Sequence, residues 1–176
     1  MKFTFALIMG LACLSFAANQ KFNFIDGTGK VIGHGTLEDT KGGVKVALDL
    51  MGVQPGTHGI HLHSVGKCEG PKFETAGGHL NPDHKKHGHQ SAEGPHLGDL
   101  GNIEVPANGN LKKEVELKNV TLKPGMPNTL MTADGTSMVI HAKADDEKTD
   151  PSGAAGDRVY CGVISTGTAT AKPATY

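Results

Sequence analysis

The sequence predicts an all-β protein, a sandwich or a barrel, because short strand-like runs recur, glycine-rich turns separate them and helical periodicity is weak after the first residues. The strand-like runs lie at 21–25, 31–37, 44–50, 59–63, 111–117, 137–141 and 159–164. The 25 glycines among 176 residues are about twice the usual share. Many short strands joined by frequent turns are typical of all-β sandwiches and barrels.

The N-terminus has the pattern of a cleaved secretory signal peptide at residues 1–17. Lys2 precedes an almost wholly apolar run at residues 5–14, and Ala17 ends a small-residue site of the kind that a signal peptidase recognises. The apolar run is well short of the roughly 20 residues that a membrane span needs. A buried N-terminal helix is the alternative interpretation.

Cleavage after Ala17 would leave residues 18–176, a length that favours one domain. Its low-complexity tail at 165–176 is expected to fray. Cys68 and Cys161 would be the two remaining cysteines, and an even pair in an exported chain predicts a disulfide. The formal net charge is −1, and −2 after removal of Lys2, so neither a nucleic-acid partner nor a membrane-bound mature chain is expected.

Two long segments interrupt the strand pattern, at residues 64–96 and 142–157. Loops of this length in a compact domain are usually functional or disordered. The first segment contains five of the ten histidines, which favours a functional loop.

The stretch "HGIHLH" at residues 58–63 combines a strand with three histidines. Side chains alternate along a strand, so His61 and His63 share one face while Ile60 and Leu62 point toward the core. His58 has the parity of the apolar pair, which favours a structural role. The outward pair, His61 and His63, would supply two imidazole ligands of a metal site.

The other histidines suggest two ligand sets. Three imidazoles and one carboxylate, the composition of a four-coordinate zinc site, occur within residues 79–99. They are His79, His87, His96 and Asp99. An all-imidazole set, which suits Cu(II), is formed by His61, His63 and the distant His141. The remaining histidines, His34, His84 and His89, are expected on the surface, as are Lys85, Lys86, Asp146 and Glu147.

Six motifs in order make the chain resemble the copper,zinc superoxide dismutases. They are "HGIHLH", "AGGHLNP", "KKHG", "HLGDLGN", "VIHAKADD" and "GDRVYCGVI", and the resemblance extends from Lys21 to Ile164. It implies an eight-stranded Greek-key β-barrel, related to the immunoglobulin-like sandwich. It also implies superoxide as the substrate, with one copper ion and one zinc ion per subunit as cofactors.

The resemblance assigns roles to individual residues. Copper would be bound by His61, His63, His79 and His141, and zinc by His79, His87, His96 and Asp99. His79 would bridge both metals as an imidazolate and take part in catalysis by passing a proton. Asp145 would join His61 to His87, and Arg158, the only arginine, would hold the anionic substrate near copper beside the Cys68–Cys161 bridge.

Ten residues separate Cys68 from His79, and the segment between His141 and Arg158 is short. With the signal peptide, these features resemble the exported bacterial branch of the family, which implies a periplasmic location. Monomer and homodimer both remain open. A metal buffer or chaperone on the same scaffold is the alternative function. A zinc hydrolase is disfavoured because no His-Glu-x-x-His motif is present.

Overall fold

The computed structural model describes residues 20–167, so the predicted signal peptide and residues 168–176 lie outside the described part. The described part contains eight β-strands and one short 3-10 turn, Glu74–Ala76. The strands are β1 (Gln20–Asp26), β2 (Val31–Asp39), β3 (Gly43–Leu50), β4 (Gly56–His63), β5 (Asp99–Val105), β6 (Leu111–Lys118), β7 (Thr136–His141) and β8 (Arg158–Ser165).

The strands form one antiparallel sheet in the order β5-β4-β7-β8-β1-β2-β3-β6. The connections from β3 to β4 and from β6 to β7 join strands that are not neighbours, which gives the Greek-key topology. The two terminal strands of the order, β5 and β6, are joined by residues 106–110, and the sheet curls into a nearly closed barrel. The predicted eight-stranded all-β fold is therefore confirmed.

Large apolar side chains from all eight strands fill the barrel. Phe24, Leu37, Ile60 and Ile140 are among those with no exposed surface. Each such side chain contributes roughly 1.5–3 kcal/mol when it is removed from water. On β3 the burial alternates along the strand, as expected for a sheet with one face in the core.

The sequence pattern indicated seven strands and missed β5. Its buried positions do alternate, but two of them are Asp99 and Gly101 rather than apolar residues. Only Ile103 and Val105 supply the usual signal. The seven predicted strands are each one to three residues shorter than observed; the largest difference is at β4, which begins at Gly56, and β8 extends to Ser165, the first residue of the expected tail.

Two long loops pack on the outer side of the barrel next to β4. The loop at 64–98 pairs with the end of β4 through a bridge between His63 and His79, and the loop at 142–157 is attached through the Gly59 N–H, which donates to Lys143 O at 2.8 Å. The predicted disulfide between Cys68 and Cys161 is present and fastens the first loop to β8.

A second, smaller apolar cluster lies beneath the first loop. Its buried members are Phe73, Ala76, Val139 and Cys161. Among residues 20–167, no helix has the length and apolar character to cross a membrane.

Candidate metal centre

The end of β4 places two imidazoles outside the barrel core. Ile60 and Leu62 point into the core, and His61 and His63 lie on the other face, as the alternation predicts. This outer face is nevertheless covered, because His61 and His63 have no exposed surface. The two long loops cover them and shield them from bulk solvent.

Four imidazole nitrogens converge in this covered space. His61 Nδ1, His63 Nε2, His79 Nε2 and His141 Nε2 are buried and have no hydrogen-bond partner. These four residues offer ligand atoms that all lie within 4.8 Å of one another. Unpartnered buried polar atoms are rare in native proteins, and four in one place indicate a site that could bind a cation.

The opposite nitrogen of three of these rings faces an oxygen acceptor. His61 Nε2 lies 2.7 Å from Asp145 Oδ2, His63 Nδ1 2.9 Å from Gly77 O, and His141 Nδ1 3.1 Å from Gly156 O. Each of these nitrogens therefore carries the proton and donates. The remaining nitrogen of each ring presents a lone pair to the shared space, which is the donor set that Cu(II) prefers.

Burial keeps three of these imidazoles, those of His63, His79 and His141, neutral. Desolvation, reinforced by the charge of neighbouring imidazoles, lowers the pKa of His141 to about 3 and holds the pKa of His63 well below its ordinary value. Desolvation likewise lowers the pKa of His79 to about 4, although its hydrogen bond to Asp99 acts in the other direction. At neutral pH the lone pairs are free to bind a metal.

A second donor set surrounds one carboxylate oxygen. Asp99 Oδ1 lies 2.9 Å from His79 Nδ1, 3.0 Å from His87 Nδ1 and 3.1 Å from His96 Nδ1. His96 Nδ1 is 3.4 Å from His79 Nδ1. A tetrahedral zinc ion with ligands at 2.0–2.1 Å would separate its ligand atoms by about 3.3 Å, so these four residues fit zinc.

The charge distribution supports a cation at this second set. His87 faces a carboxylate oxygen with each ring nitrogen, but a neutral imidazole has only one N–H. Burial would raise the pKa of the Asp99 carboxyl, but hydrogen bonds from His79 and from the Gly88 and His96 N–H groups outweigh it and lower that pKa. Asp99 is therefore an anion surrounded by nitrogen donors.

One buried carboxylate connects the two sets. Asp145 Oδ2 accepts from His61 at 2.7 Å and Asp145 Oδ1 from His87 at 3.0 Å. These bonds outweigh burial and lower the pKa of Asp145. The Glu147 N–H also donates to Oδ1, which fixes the carboxylate from a third side. Such a partner sets the tautomer and orientation of both rings.

Comparison with known proteins identifies the family. Residues 31–164 match the family model described as copper/zinc superoxide dismutase (SODC). The chain belongs to the copper/zinc superoxide dismutase family.

Its relatives match over most of their length. Superoxide dismutase [Cu-Zn] 1 of Aquifex aeolicus is 40% identical over 163 residues, 92% of each chain. Superoxide dismutase [Cu-Zn] 2 of the same organism is 43% identical over 157 residues, 88% of this chain and 92% of that one. The crystal structure of a SOD-like protein from Bacillus subtilis superimposes with a TM-score of 0.81 at 33% identity, covering 84% of this chain and 99% of that one.

Copper and zinc are the metals of this superoxide dismutase family, and both donor sets suit them. The other predicted site residue, Arg158, lies beside the first set. Its Nη1 donates to Phe73 O at 2.8 Å and its Nη2 to Gly77 O at 2.7 Å. Gly77 O also accepts from His63, so a single carbonyl joins the guanidinium to the donor set. Burial lowers the pKa of Arg158, which nevertheless remains a cation at neutral pH.

The histidines outside the donor sets are placed mostly as predicted. His58 is buried, with its ring nitrogens each 2.8 Å from a carbonyl oxygen, of Gln54 and of His141. His84 and His89 are exposed on the first loop. His34 is half-buried on β2 rather than fully exposed.

The predicted exposed acidic turn is correct for Asp146 only. Asp146 is exposed and accepts from the Lys148 and Thr149 N–H groups. Glu147 is partly covered, has a left-handed backbone (φ 57°) and lies 3.6 Å from His89.

Sequence reasoning missed the backbone groups that orient the donors. The carbonyls of Gly77 and Gly156 hold His63, His141 and Arg158, and the glycines of "AGGH" and "AAGD" were a weak signal for them.

Proposed function

We propose that this protein dismutes superoxide to O₂ and H₂O₂ in the periplasm. Copper would be held by His61, His63, His79 and His141, and zinc by His79, His87, His96 and Asp99. The observation that carries the proposal is the position of His79, whose Nδ1 belongs to one donor set and whose Nε2 belongs to the other. A single imidazole can therefore serve two metals.

Bound copper would supply the alternating one-electron oxidation and reduction that converts two superoxide anions to O₂ and H₂O₂. The protein residues determine where a proton can be held. The reaction consumes two protons for each H₂O₂ formed. His79 Nε2 lies buried among the unpartnered nitrogens, so it would take up one of these protons and pass it to the reduced product, and solvent would supply the other. Asp99 and Asp145 keep the surrounding rings in place while this proton moves.

Arg158 would hold the anionic substrate. Two carbonyl oxygens, from Phe73 and Gly77, fix the guanidinium, and a planar cation with several donors suits a small anion. Gly77 O accepts from both Arg158 and His63, so the guanidinium lies beside the first donor set. The field of such a cation would increase the rate of substrate encounter.

Export to the periplasm is supported by the disulfide and by the N-terminal pattern. Disulfides persist in oxidising compartments and are rare in the cytosol, and Cys68 and Cys161 form one. The signal pattern at 1–17 would leave residues 18–176 as a mature chain of one domain.

The rate of superoxide decay tests the proposal. The processed protein, loaded with copper and zinc, is expected to catalyse decay at a rate near the diffusion limit, about 10⁹ M⁻¹s⁻¹, a value known for superoxide dismutases. The rate should fall as salt is added, because the substrate is an anion. His141→Ala should abolish the rate, and His34→Ala, remote from the donors, should not. No catalysis with both metals fully bound would contradict the proposal and favour a metal buffer.

A further inference from the structure

We propose that Asn102 is a positioning residue that fixes Asp145, the carboxylate linking the two donor sets. This inference rests on the metal assignment proposed above and goes beyond it. Asn102 lies on β5, and its side-chain amide bonds both backbone groups of Asp145. Asn102 Oδ1 accepts from the Asp145 N–H at 2.7 Å, and Asn102 Nδ2 donates to Asp145 O at 2.9 Å.

An amide is the group that this arrangement requires. The Asp145 peptide groups present one donor and one acceptor, and the Asn side chain has the complementary acceptor and donor. The two bonds join positions 43 residues apart, so Asn102 fastens the loop at 142–157 to the barrel. A carboxylate at this position could accept from the N–H but could not donate to the carbonyl.

A second attachment lies directly beside the first. Gly59 on β4 is the register partner of Asn102 on β5, and the Gly59 N–H donates to Lys143 O at 2.8 Å. Two adjacent strands thus hold Lys143 and Asp145, which are two residues apart. The backbone of Asp145 therefore has a fixed position relative to His61, which is on the same strand as Gly59.

Asn102 would affect the metal centre indirectly, through the position of Asp145. Asn102 is exposed and makes no hydrogen bond to a ligand atom of either donor set, so it acts only by position. If the Asp145 backbone moves, its carboxylate loses the alignment with His61 Nε2 and His87 Nε2. Loss of a direct partner of a metal-binding ring weakens metal binding by 10–100-fold. Asn102 contacts such a partner rather than a metal-binding ring, so its loss is expected to weaken zinc binding by a smaller factor, about 3–10-fold.

A matched control distinguishes positioning from ordinary structural support. Asp39, at the end of β2, also ties a distant loop to the barrel by two hydrogen bonds, from Thr121 Oγ1 at 3.1 Å and the Leu122 N–H at 3.0 Å. It belongs to neither donor set. Asn102→Ala and Asp39→Ala therefore each remove two long-range hydrogen bonds. Those of Asn102 lie near the metal centre, and those of Asp39 lie far from it. Asn102→Asp, nearly the same size, keeps the acceptor but replaces the donor with a charged oxygen that faces Asp145 O.

The test measures zinc affinity by competition with a chelator, the visible spectrum of Co²⁺ bound in place of zinc, and the melting temperature of the metal-free protein. Both alanine variants should lower the melting temperature to a similar extent. Only Asn102→Ala and Asn102→Asp should weaken zinc binding, by about 3–10-fold, and alter the Co²⁺ spectrum. Wild-type zinc affinity and Co²⁺ spectrum in both Asn102 variants would overturn the inference. Failure of the wild-type protein to bind zinc would instead overturn the metal assignment.

Discussion

His79 donates from Nδ1 to Asp99 Oδ1 at 2.9 Å, while Nε2 of the same ring is buried without a partner. The hydrogen bond fixes the ring so that Nε2 points into the set of unpartnered nitrogens. A metal at the Asp99 side would replace the Nδ1 proton, which leaves both nitrogens of one ring available to two ions. This relationship would allow the two-metal centre proposed above to share His79.

Asp145→Asn should weaken zinc binding by about 10–100-fold, because an amide can no longer accept from both His61 and His87. Chelator competition measures the effect. Asp146→Asn is the matched control, since Asp146 is the next carboxylate in the same loop and bonds only within its turn. Equal losses in the two variants would show that loop stability, and not the link between the rings, determines zinc affinity.

Gly153→Ala should have a comparable effect on zinc. A Cβ at this position would lie 1.8 Å from Asp145 Oδ1 and 2.6 Å from His87 Nε2. Gly29→Ala is the control, because Gly29 also has a positive φ but has no atom within 4 Å of its added Cβ. Both variants carry the left-handed backbone penalty of about 1 kcal/mol. Only Gly153→Ala should lose zinc affinity. Retention of wild-type affinity would contradict the role of Asp145 in joining His61 to His87.

Arg158→Gln should slow superoxide decay by roughly tenfold or more at low salt and reduce the salt dependence. The reason is the loss of the fixed cation held by Phe73 and Gly77. Stopped-flow decay at several ionic strengths measures both effects. Lys113→Gln, which removes one positive charge from the exposed side of β6, should change little. If Lys113→Gln slowed the reaction as much, net charge rather than the position of Arg158 would control the rate.

Cys161→Ser should destabilise the protein by about 4.6 kcal/mol in the chain-entropy model, because the disulfide spans 93 residues. Urea unfolding of the oxidised protein and the variant measures the difference. A reducing agent should lower the midpoint of the wild-type protein and leave that of Cys161→Ser unchanged. A wild-type midpoint insensitive to reduction would contradict a stabilising role for this bridge.

The metal-free protein should lose stability as the pH falls from 7 to 4.5. The pKa of His79 is lowered to about 4 and that of His141 to about 3, against an ordinary value of 6.5. Between these values the unfolded chain binds more protons than the folded one, so stability is complete above pH 6.5 and decreases below it.

The melting temperature of the metal-free protein should fall by about 5 °C or more across this range. The lowered pKa values of Asp99 and Asp145 act only at more acidic pH, so the histidines account for the change. A melting temperature that stays constant from pH 7 to 4.5 would contradict the buried neutral state of these rings.

Much of the centre could be predicted because its residues carry local signals. Strand alternation placed His61 and His63 opposite Ile60 and Leu62, and the spacing within residues 79–99 indicated a zinc set. The role of each nitrogen could not be predicted. It depends on carbonyl oxygens, such as Gly77 O, that are brought close only when the loops pack on the barrel.

The missed strand has a similar cause. Asp99 and Gly101 occupy buried positions of β5 where the pattern requires apolar residues. Asp99 is buried as a metal-binding candidate, and Gly101 adopts a positive φ of 75°. Asp99 therefore departs from the apolar pattern because it belongs to the candidate site, and Gly101 because its backbone conformation favours glycine. The two hydrogen bonds between Asn102 and the Asp145 backbone could not be predicted either, because they join segments 43 residues apart that share no sequence pattern.

The most direct test of a shared His79 is electron paramagnetic resonance of the protein loaded with Cu(II) in both donor sets. Two Cu(II) ions joined by one imidazolate couple their unpaired electrons, so we predict that the low-temperature signal is largely lost with two copper ions bound per chain. Replacing the second copper with zinc should restore a full single-copper signal. Two independent Cu(II) signals of full intensity at double loading would contradict the claim that His79 serves both metals.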